Sequence, residues 1–104
     1  MTTFDDREHA FENKFAHDEE LRFRAEARRN KLLGLWAAEL MGLDEAAAHD
    51  YARAVVAADL QEAGDEDVYR KLAGDLGGLA DEPTIRARMA ELMIEAKSQI
   101  MTEV

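Results

Sequence analysis

The 104-residue chain contains no cysteine, which excludes disulfide bonds, thiol nucleophiles and thiolate metal ligands. It also lacks an uninterrupted apolar run of about 18 residues, so we expect neither a membrane span nor membrane insertion. Basic residues are outnumbered by acidic ones, and the formal net charge of −10 argues against binding to nucleic acid. The amino terminus has no apolar stretch of the kind found in secretory signals, and these features together favour a cytoplasmic protein.

Proline and glycine, which interrupt helices, are nearly absent from the first part of the chain. The stretch from Thr3 to Met41 contains no proline and a single glycine, Gly34, and it predicts one long helical run. At about 1.5 Å per residue this run would be roughly 60 Å long. A domain of about 100 residues has a radius of gyration of only about 13 Å. Part of the run must therefore project, fray or dock on something else.

Aromatic residues are few, and three of them share one helical face near the start. Phe4, Phe11 and Phe15 are seven and four residues apart, which places their rings on one side of a helix. The polar stretch HDEE then interrupts this face, and an isolated helix of about 15 residues is marginal in water. We expect residues 1–18 to be a mobile segment and residues 19–104 to form the body. The rings either enter a groove in a partner protein or fold back over the body.

Apolar periodicity predicts that the body begins with the remainder of the long helical run. The residues expected to face inward are Ala25, Leu32, Leu33, Trp36 and Leu40. Arg29 falls at the edge of this stripe, with its aliphatic stem packed and its charged head in solvent. Gly42 supplies the carboxyl-terminal stop.

Three further helices are predicted, at about 45–63, at 66–76, and from Pro83 nearly to the end of the chain. Their expected caps are Asp44, Asp65, and either Asp81 or Thr84. The last two helices carry single apolar stripes: Val68, Leu72 and Leu76 in one, and Ile85, Met89, Leu92, Ala96 and Ile100 in the other. The predicted fold class is all-α, a four-helix bundle with a mobile or projecting amino-terminal segment.

The charge is unevenly distributed along the chain. Residues 1–31 carry eight acids and seven bases, whereas residues 32–104 carry fifteen acids and six bases. Five of the bases form a cluster that we call the basic collar: Arg22, Arg24, Arg28, Arg29 and Lys31. One interpretation is a solvated helix face with i,i+4 ion pairs such as Glu20–Arg24. The other is a surface that faces a partner.

The sequence offers little to an enzyme or a metal. Its three histidines are scattered on polar faces, so we expect no metal site and no cofactor. No nucleophile has a base beside it, which indicates a protein that is not an enzyme. Gly74, Gly77 and Gly78 lack the Lys-Ser/Thr of a phosphate loop. Weak contact with adenine nucleotide is still an alternative, either at these glycines or at Arg28 and Arg29. In that case the protein would be a small helical nucleotide-binding or nucleotide-sensing module.

Three blocks of sequence carry a resemblance to a known family. They read TTFDDREHAFENKFAHDEE, RAEARRNKLLGLWAAELMGL and EAGDEDVYRKLAGDL. In this order they resemble the zeta subunit of alphaproteobacterial F1Fo-ATP synthase, a family of small F1-ATPase inhibitors. The similarity runs through nearly the whole chain and is weakest over 77–84 and the last helix.

The resemblance implies a four-helix body and a mobile inhibitory segment, here residues 1–18. In the family this segment inserts as a helix at a catalytic αβ interface of F1 and blocks rotation of the γ subunit. The expected partners are therefore the α, β and γ subunits, met at the cytoplasmic face of the inner membrane. The residues predicted to contact them are Phe4, Arg7, Phe11, Lys14, Phe15, Arg22 and Arg24. From their spacing, the phenylalanines are the apolar anchors.

Overall fold

The computed structural model of the protein describes residues 19–58 and 65–103. In these ranges the chain forms four helices, a short 3₁₀ turn and no strand. The helices are α1 (Glu19–Leu40), α2 (Glu45–Ala58), α3 (Glu66–Leu76) and α4 (Glu82–Glu103), and the turn is Gly77–Leu79. This confirms the all-α bundle. The amino-terminal segment and the predicted end of the second helix lie outside the described residues.

Side-chain caps begin two of the helices where the sequence predicts them. The Ala47 amide donates to Asp44 Oδ1 at 2.8 Å, and the Thr84 amide donates to Asp81 Oδ1 at 3.0 Å. Each bond satisfies one of the amides left without a partner in a first helical turn. Asp65 occupies the expected N-cap position of α3, but its side chain makes no capping hydrogen bond. Its carboxylate pairs instead with an arginine of α1.

Helix α1 lies at the centre of the bundle and packs mainly against α2 and α4. It buries more than one face, and its buried residues are Leu21, Ala25, Arg29, Asn30, Leu33, Gly34, Ala37 and Ala38. At Gly34, α1 and α2 approach so closely that an added Cβ would lie 2.5 Å from Ala52 Cα. The predicted inward position of Leu40 is wrong, because this side chain is 40% exposed at the helix end.

Two apolar clusters form the core of the described residues. The larger one joins all four helices and consists of Leu33, Ala37, Val55, Val68, Leu72, Leu76, Ile85 and Met89. Trp36 and Leu92 pack against it partly buried. The smaller one joins the start of α1 to the end of α4 through Leu21, Ala25 and Ile100. The stripes predicted for α3 and α4 are thus confirmed.

Arg29 is the main correction to the predicted core. Its side chain is 2% exposed, so its head lies inside the protein rather than in solvent. The Nη1 atom donates to Asp65 Oδ1 at 2.9 Å, and Nε donates to Asn30 Oδ1 at 2.9 Å. A buried charge requires such partners, and the carboxylate at the start of α3 supplies one.

Candidate functional site

The structure divides the basic collar between solvent and the interior. Arg22, Arg24 and Lys31 are exposed on α1, Arg28 is partly buried, and Arg29 is buried. Arg24 pairs with Glu20 at 3.3 Å, which confirms the predicted i,i+4 contact. The collar is therefore not one uniform surface, and its members serve different contacts.

Arg28 fastens α1 to the end of α4. Its Nη2 atom lies 2.7 Å from Glu103 Oε1, and its Nη1 donates to Gln99 Oε1 at 2.7 Å. These contacts lie beside the smaller apolar cluster, where Leu21 and Ala25 meet Ile100. The start of α1 is thus held to α4 by an apolar contact and by an ion pair.

Beside the collar, two adjoining cavities form a surface that we call the cationic groove. The first, about 500 Å³, is lined by Lys31, His49, Ala52, Arg53, Val56 and Ala57. The second, about 400 Å³, is lined by Phe23, Arg24, Ala27, Arg28, Lys31, Val56, Ile100 and Glu103. Lys31 and Val56 line both cavities, so the two are continuous. The ring of Phe23, which the sequence did not single out, is 57% exposed here.

A third cavity, which we call the Arg29 pocket, has a volume of about 440 Å³. Its lining combines two arginines and an acid with an apolar wall: Arg29, Asp65, Arg86, Met89, Ala90, Met93 and Ile94. Two buried nitrogens, Arg29 Nη2 and Asn30 Nδ2, have no hydrogen-bond partner among the described residues. Donors left in this way carry a free-energy penalty that an anionic acceptor would relieve.

Arg86 lies at the Arg29 pocket between two carboxylates and an aromatic ring. Its Nη1 donates to Glu66 Oε1 at 2.9 Å, its Nε donates to Glu82 Oε2 at 3.2 Å, and its guanidinium stacks 4.0 Å from the Tyr69 ring centroid. The hydrogen bond from Arg86 and its charge lower the pKa of Glu66. The same partners raise the pKa of Arg86, so this guanidinium keeps its charge.

The glycine loop, which contains Gly74, Gly77 and Gly78, is separate from Arg28 and Arg29, the other candidate contacts for a nucleotide. Gly74 is in α3, Gly77 begins the 3₁₀ turn at a positive φ of 56°, and an added Cβ at either position or at Gly78 would meet open space. None of these glycines lines the cationic groove or the Arg29 pocket. The structure therefore does not bring the glycine loop together with Arg28 and Arg29.

Tyr51, Lys71 and Asp75 form a polar cluster close to the glycine loop. Asp75 Oδ2 accepts hydrogen bonds from Tyr51 Oη at 2.8 Å and from Lys71 Nζ at 3.0 Å. Burial and the neighbouring carboxylate raise the pKa of Tyr51. Burial acts to raise the pKa of Asp75, but the two donors outweigh it and the pKa is lowered. The cluster ties α2 to α3.

Two general properties follow from the described part of the chain. It contains no group of three or more His, Cys, Asp or Glu side chains placed to hold a metal ion. Of its helices, none has both the length and the apolar character needed to cross a membrane.

Comparison with known proteins connects this bundle to a family. The family model described as ATPase inhibitor subunit zeta matches residues 1–99. The chain belongs to the zeta family. The chain is also similar to a protein solved by solution NMR, with 52% sequence identity and a TM-score of 0.75. That match covers 81% of this chain and 99% of the solved one, whereas no curated protein matches.

The structure describes only part of the predicted partner-binding set. Of the residues predicted to contact the partner, Arg22 and Arg24 are exposed on the first turns of α1. The others, Phe4, Arg7, Phe11, Lys14 and Phe15, lie outside the described residues. Phe23, which the sequence analysis did not name, is an exposed aromatic side chain between Arg22 and Arg24.

Proposed function

We propose that this zeta-family protein inhibits ATP hydrolysis by the F1 sector of ATP synthase as a steric wedge, with no chemistry of its own. Residues 1–18 insert as a helix at a catalytic αβ interface and block rotation of the γ subunit. Residues 19–104 form the body that carries them. The protein acts at the cytoplasmic face of the inner membrane, where F1 is bound.

The observation that carries this proposal is the burial of α1 side chains close to the aromatic segment. Leu21 and Ala25, two and six residues after Glu19, are already in the core. The segment before Glu19 is therefore attached to a helix that is held firmly near its start. This arrangement supports a division between a carrier and an inserting segment.

The chemistry of the segment supports binding by insertion. The rings of Phe4, Phe11 and Phe15 would bury apolar area in a groove of the partner. Arg7 and Lys14 would pair with its acids, and the exposed Arg22 and Arg24 would lie at the mouth of the interface. Folding a segment on binding costs a few kcal/mol, roughly 2–5, and these contacts must exceed that cost.

Deletion of residues 1–18 tests the proposal directly. We expect the deletion to abolish inhibition of ATP hydrolysis by the cognate F1. The helical circular dichroism per residue and the melting temperature of the body should change little, because the deletion keeps every residue of the two apolar clusters. Unfolding of the truncated protein would contradict the proposal, because the three phenylalanines would then belong to the core. Full inhibition by a folded, truncated protein would also contradict it.

Binding of adenine nucleotide is a second candidate function, and the Arg29 pocket is the observation that favours it. A phosphate there would accept a hydrogen bond from Arg86, with the base against the apolar wall. Titration of ATP against the amide chemical shifts of the protein tests this function. Shifts confined to residues around the pocket would support it, and an absence of localised shifts at millimolar ATP would exclude it.

A further inference from the structure

The cationic groove is a basic surface on an acidic protein. Its lining contains four cations, Arg24, Arg28, Lys31 and Arg53, and one acid, Glu103. The whole chain carries a formal net charge of −10. A patch of opposite sign to the rest of a molecule selects both the charge and the orientation of what approaches it.

The cations of the groove are not all neutralised by their own protein. Lys31 is exposed at the junction of the two cavities and forms no ion pair within the ranges 19–58 and 65–103. The Arg53 side chain is 73% exposed, and within the described residues it pairs with the similarly exposed Asp50, one helical turn before it. Exposed pairs of this kind contribute little and exchange readily with other carboxylates.

The floor of the groove is apolar and elongated. Phe23, Ala27 and Lys31 follow one another at intervals of four along α1, a distance of about 12 Å, so the groove accommodates about two turns of a helix. Val56 of α2 and Ile100 of α4 complete the floor. An exposed aromatic ring beside aliphatic side chains and arginines has the composition found at the centre of protein interfaces.

We propose that the cationic groove docks a carboxylate-rich amphipathic helix on the surface of the F1 sector. The apolar face of this helix covers Phe23 and Val56, and its carboxylates meet Arg24, Lys31 and Arg53. The inference rests on the proposed function for the identity of the partner. The rest of the body is acidic and is repelled by the carboxylates of the partner helix. The body therefore approaches the partner with the cationic groove facing it. Docking of the body then holds the inserting segment close to its site and raises its effective concentration there.

The test uses the full chain with the double substitution Lys31→Glu and Arg53→Glu. We expect the concentration needed for half-maximal inhibition of F1 to rise about tenfold and to depend less on salt. Inhibition at saturation should be unchanged, because the inserting segment is intact. The control is Arg70→Glu with Arg88→Glu, which makes the same change in net charge at two exposed arginines outside the groove, each paired with an acid three residues away as Arg53 is. The control should shift the half-maximal concentration less than about twofold.

The variant Phe23→Ala tests the docking proposal a second time without changing the net charge. This ring is 57% exposed, so its loss should leave the melting temperature nearly unchanged while weakening inhibition about tenfold. An unchanged half-maximal concentration in both groove variants, or equal shifts in groove and control variants, would overturn the proposal.

Two other occupants of the groove would each give a different experimental result. If the groove held residues 1–18 of its own chain, the charge reversal would release them and strengthen inhibition. If it held a second copy of the protein, sedimentation would show a dimer that the variant abolishes. Either result would overturn the inference. A failure of the wedge proposal is distinguishable from a failure of this inference. It would appear as undiminished inhibition at saturation after residues 1–18 have been deleted or substituted.

Discussion

Arg29 Nη1 on α1 lies 2.9 Å from Asp65 Oδ1 at the start of α3, and the arginine is buried while the aspartate is 58% exposed. The pair joins two helices that have few other contacts with each other, since α1 packs mainly against α2 and α4. Removing one partner of such a pair leaves a buried charge without compensation, which costs more than the pair itself contributes.

Asp65→Ala should therefore destabilise the bundle, even though its side chain is largely exposed. We expect the free energy of unfolding in urea to fall by about 1–2 kcal/mol, less than for a fully buried pair because water reaches the carboxylate. Adding Arg29→Met should recover much of this loss, since methionine fills the space without a charge. A double variant that is no more stable than Asp65→Ala would show that the arginine head does not depend on Asp65.

Gly34→Ala should force α1 and α2 apart. The new Cβ would lie 2.5 Å from Ala52 Cα, a backbone atom that cannot move alone. We expect the free energy of unfolding to fall by about 1–3 kcal/mol. Gly74→Ala in α3 is the matched control, because an added Cβ there meets open space and alanine is the better helix former. It should stabilise the protein by about 0.5–1 kcal/mol, and destabilisation of similar size in both variants would contradict the packing argument.

The cap at Asp81 should make the stability of α4 depend on pH. The hydrogen bonds from Thr84 lower the pKa of Asp81 in the folded protein. The stabilisation is therefore present above the ordinary pKa of an aspartate, about 4, and is lost as pH falls through the lower folded value. At pH 7 the variant Asp81→Ala should melt about 4 °C lower than the original protein.

The difference in melting temperature between the two proteins should shrink below about pH 4, as the aspartate of the original protein becomes protonated. Thermal melts across this range measure the difference at each pH. Asp81→Asn is the control, because an asparagine oxygen caps the helix without titrating. A difference that is constant from pH 7 to pH 3 would contradict a charged cap.

The aromatic anchors of the inserting segment can be tested without deleting it. Phe11→Ala with Phe15→Ala should reduce the inhibition reached at saturation, because losing two buried rings costs about 2–4 kcal/mol and favours docking without insertion. Inhibition of ATP hydrolysis by the cognate F1 measures this. Leu43→Ala with Leu79→Ala removes exposed apolar side chains of the body and should have no effect. Equal losses in both double variants would argue against specific anchoring.

Helices that bury a single face were predictable from sequence. In α3 and α4 the apolar residues recur at helical spacing, and Val68, Leu72, Ile85 and Met89 are buried as expected. Two caps were also predictable, since Asp44 and Asp81 each bond an amide three residues further on, within the same short stretch of chain. Such local features depend on neighbouring residues alone.

The environment of α1 was only partly predictable, because contacts distant in sequence determine it. A helix packed on both α2 and α4 buries small residues such as Gly34, Ala37 and Ala38 that no stripe of large apolar side chains reveals. The burial of Arg29 depends on Asp65, a residue 36 positions later in the chain. The cationic groove likewise combines residues of three helices, so the collar on α1 showed only part of it.

The two attachments of α1 have a mechanical consequence. A helix held at one point can swivel about it, whereas α1 is held both at Gly34, against α2, and at Leu21 and Ala25, against the end of α4. These supports are about 20 Å apart along its axis, which leaves little freedom to tilt. The orientation of α1 between Leu21 and Gly34 is therefore set by both neighbouring helices, and a force applied along this helix is shared by α2 and α4.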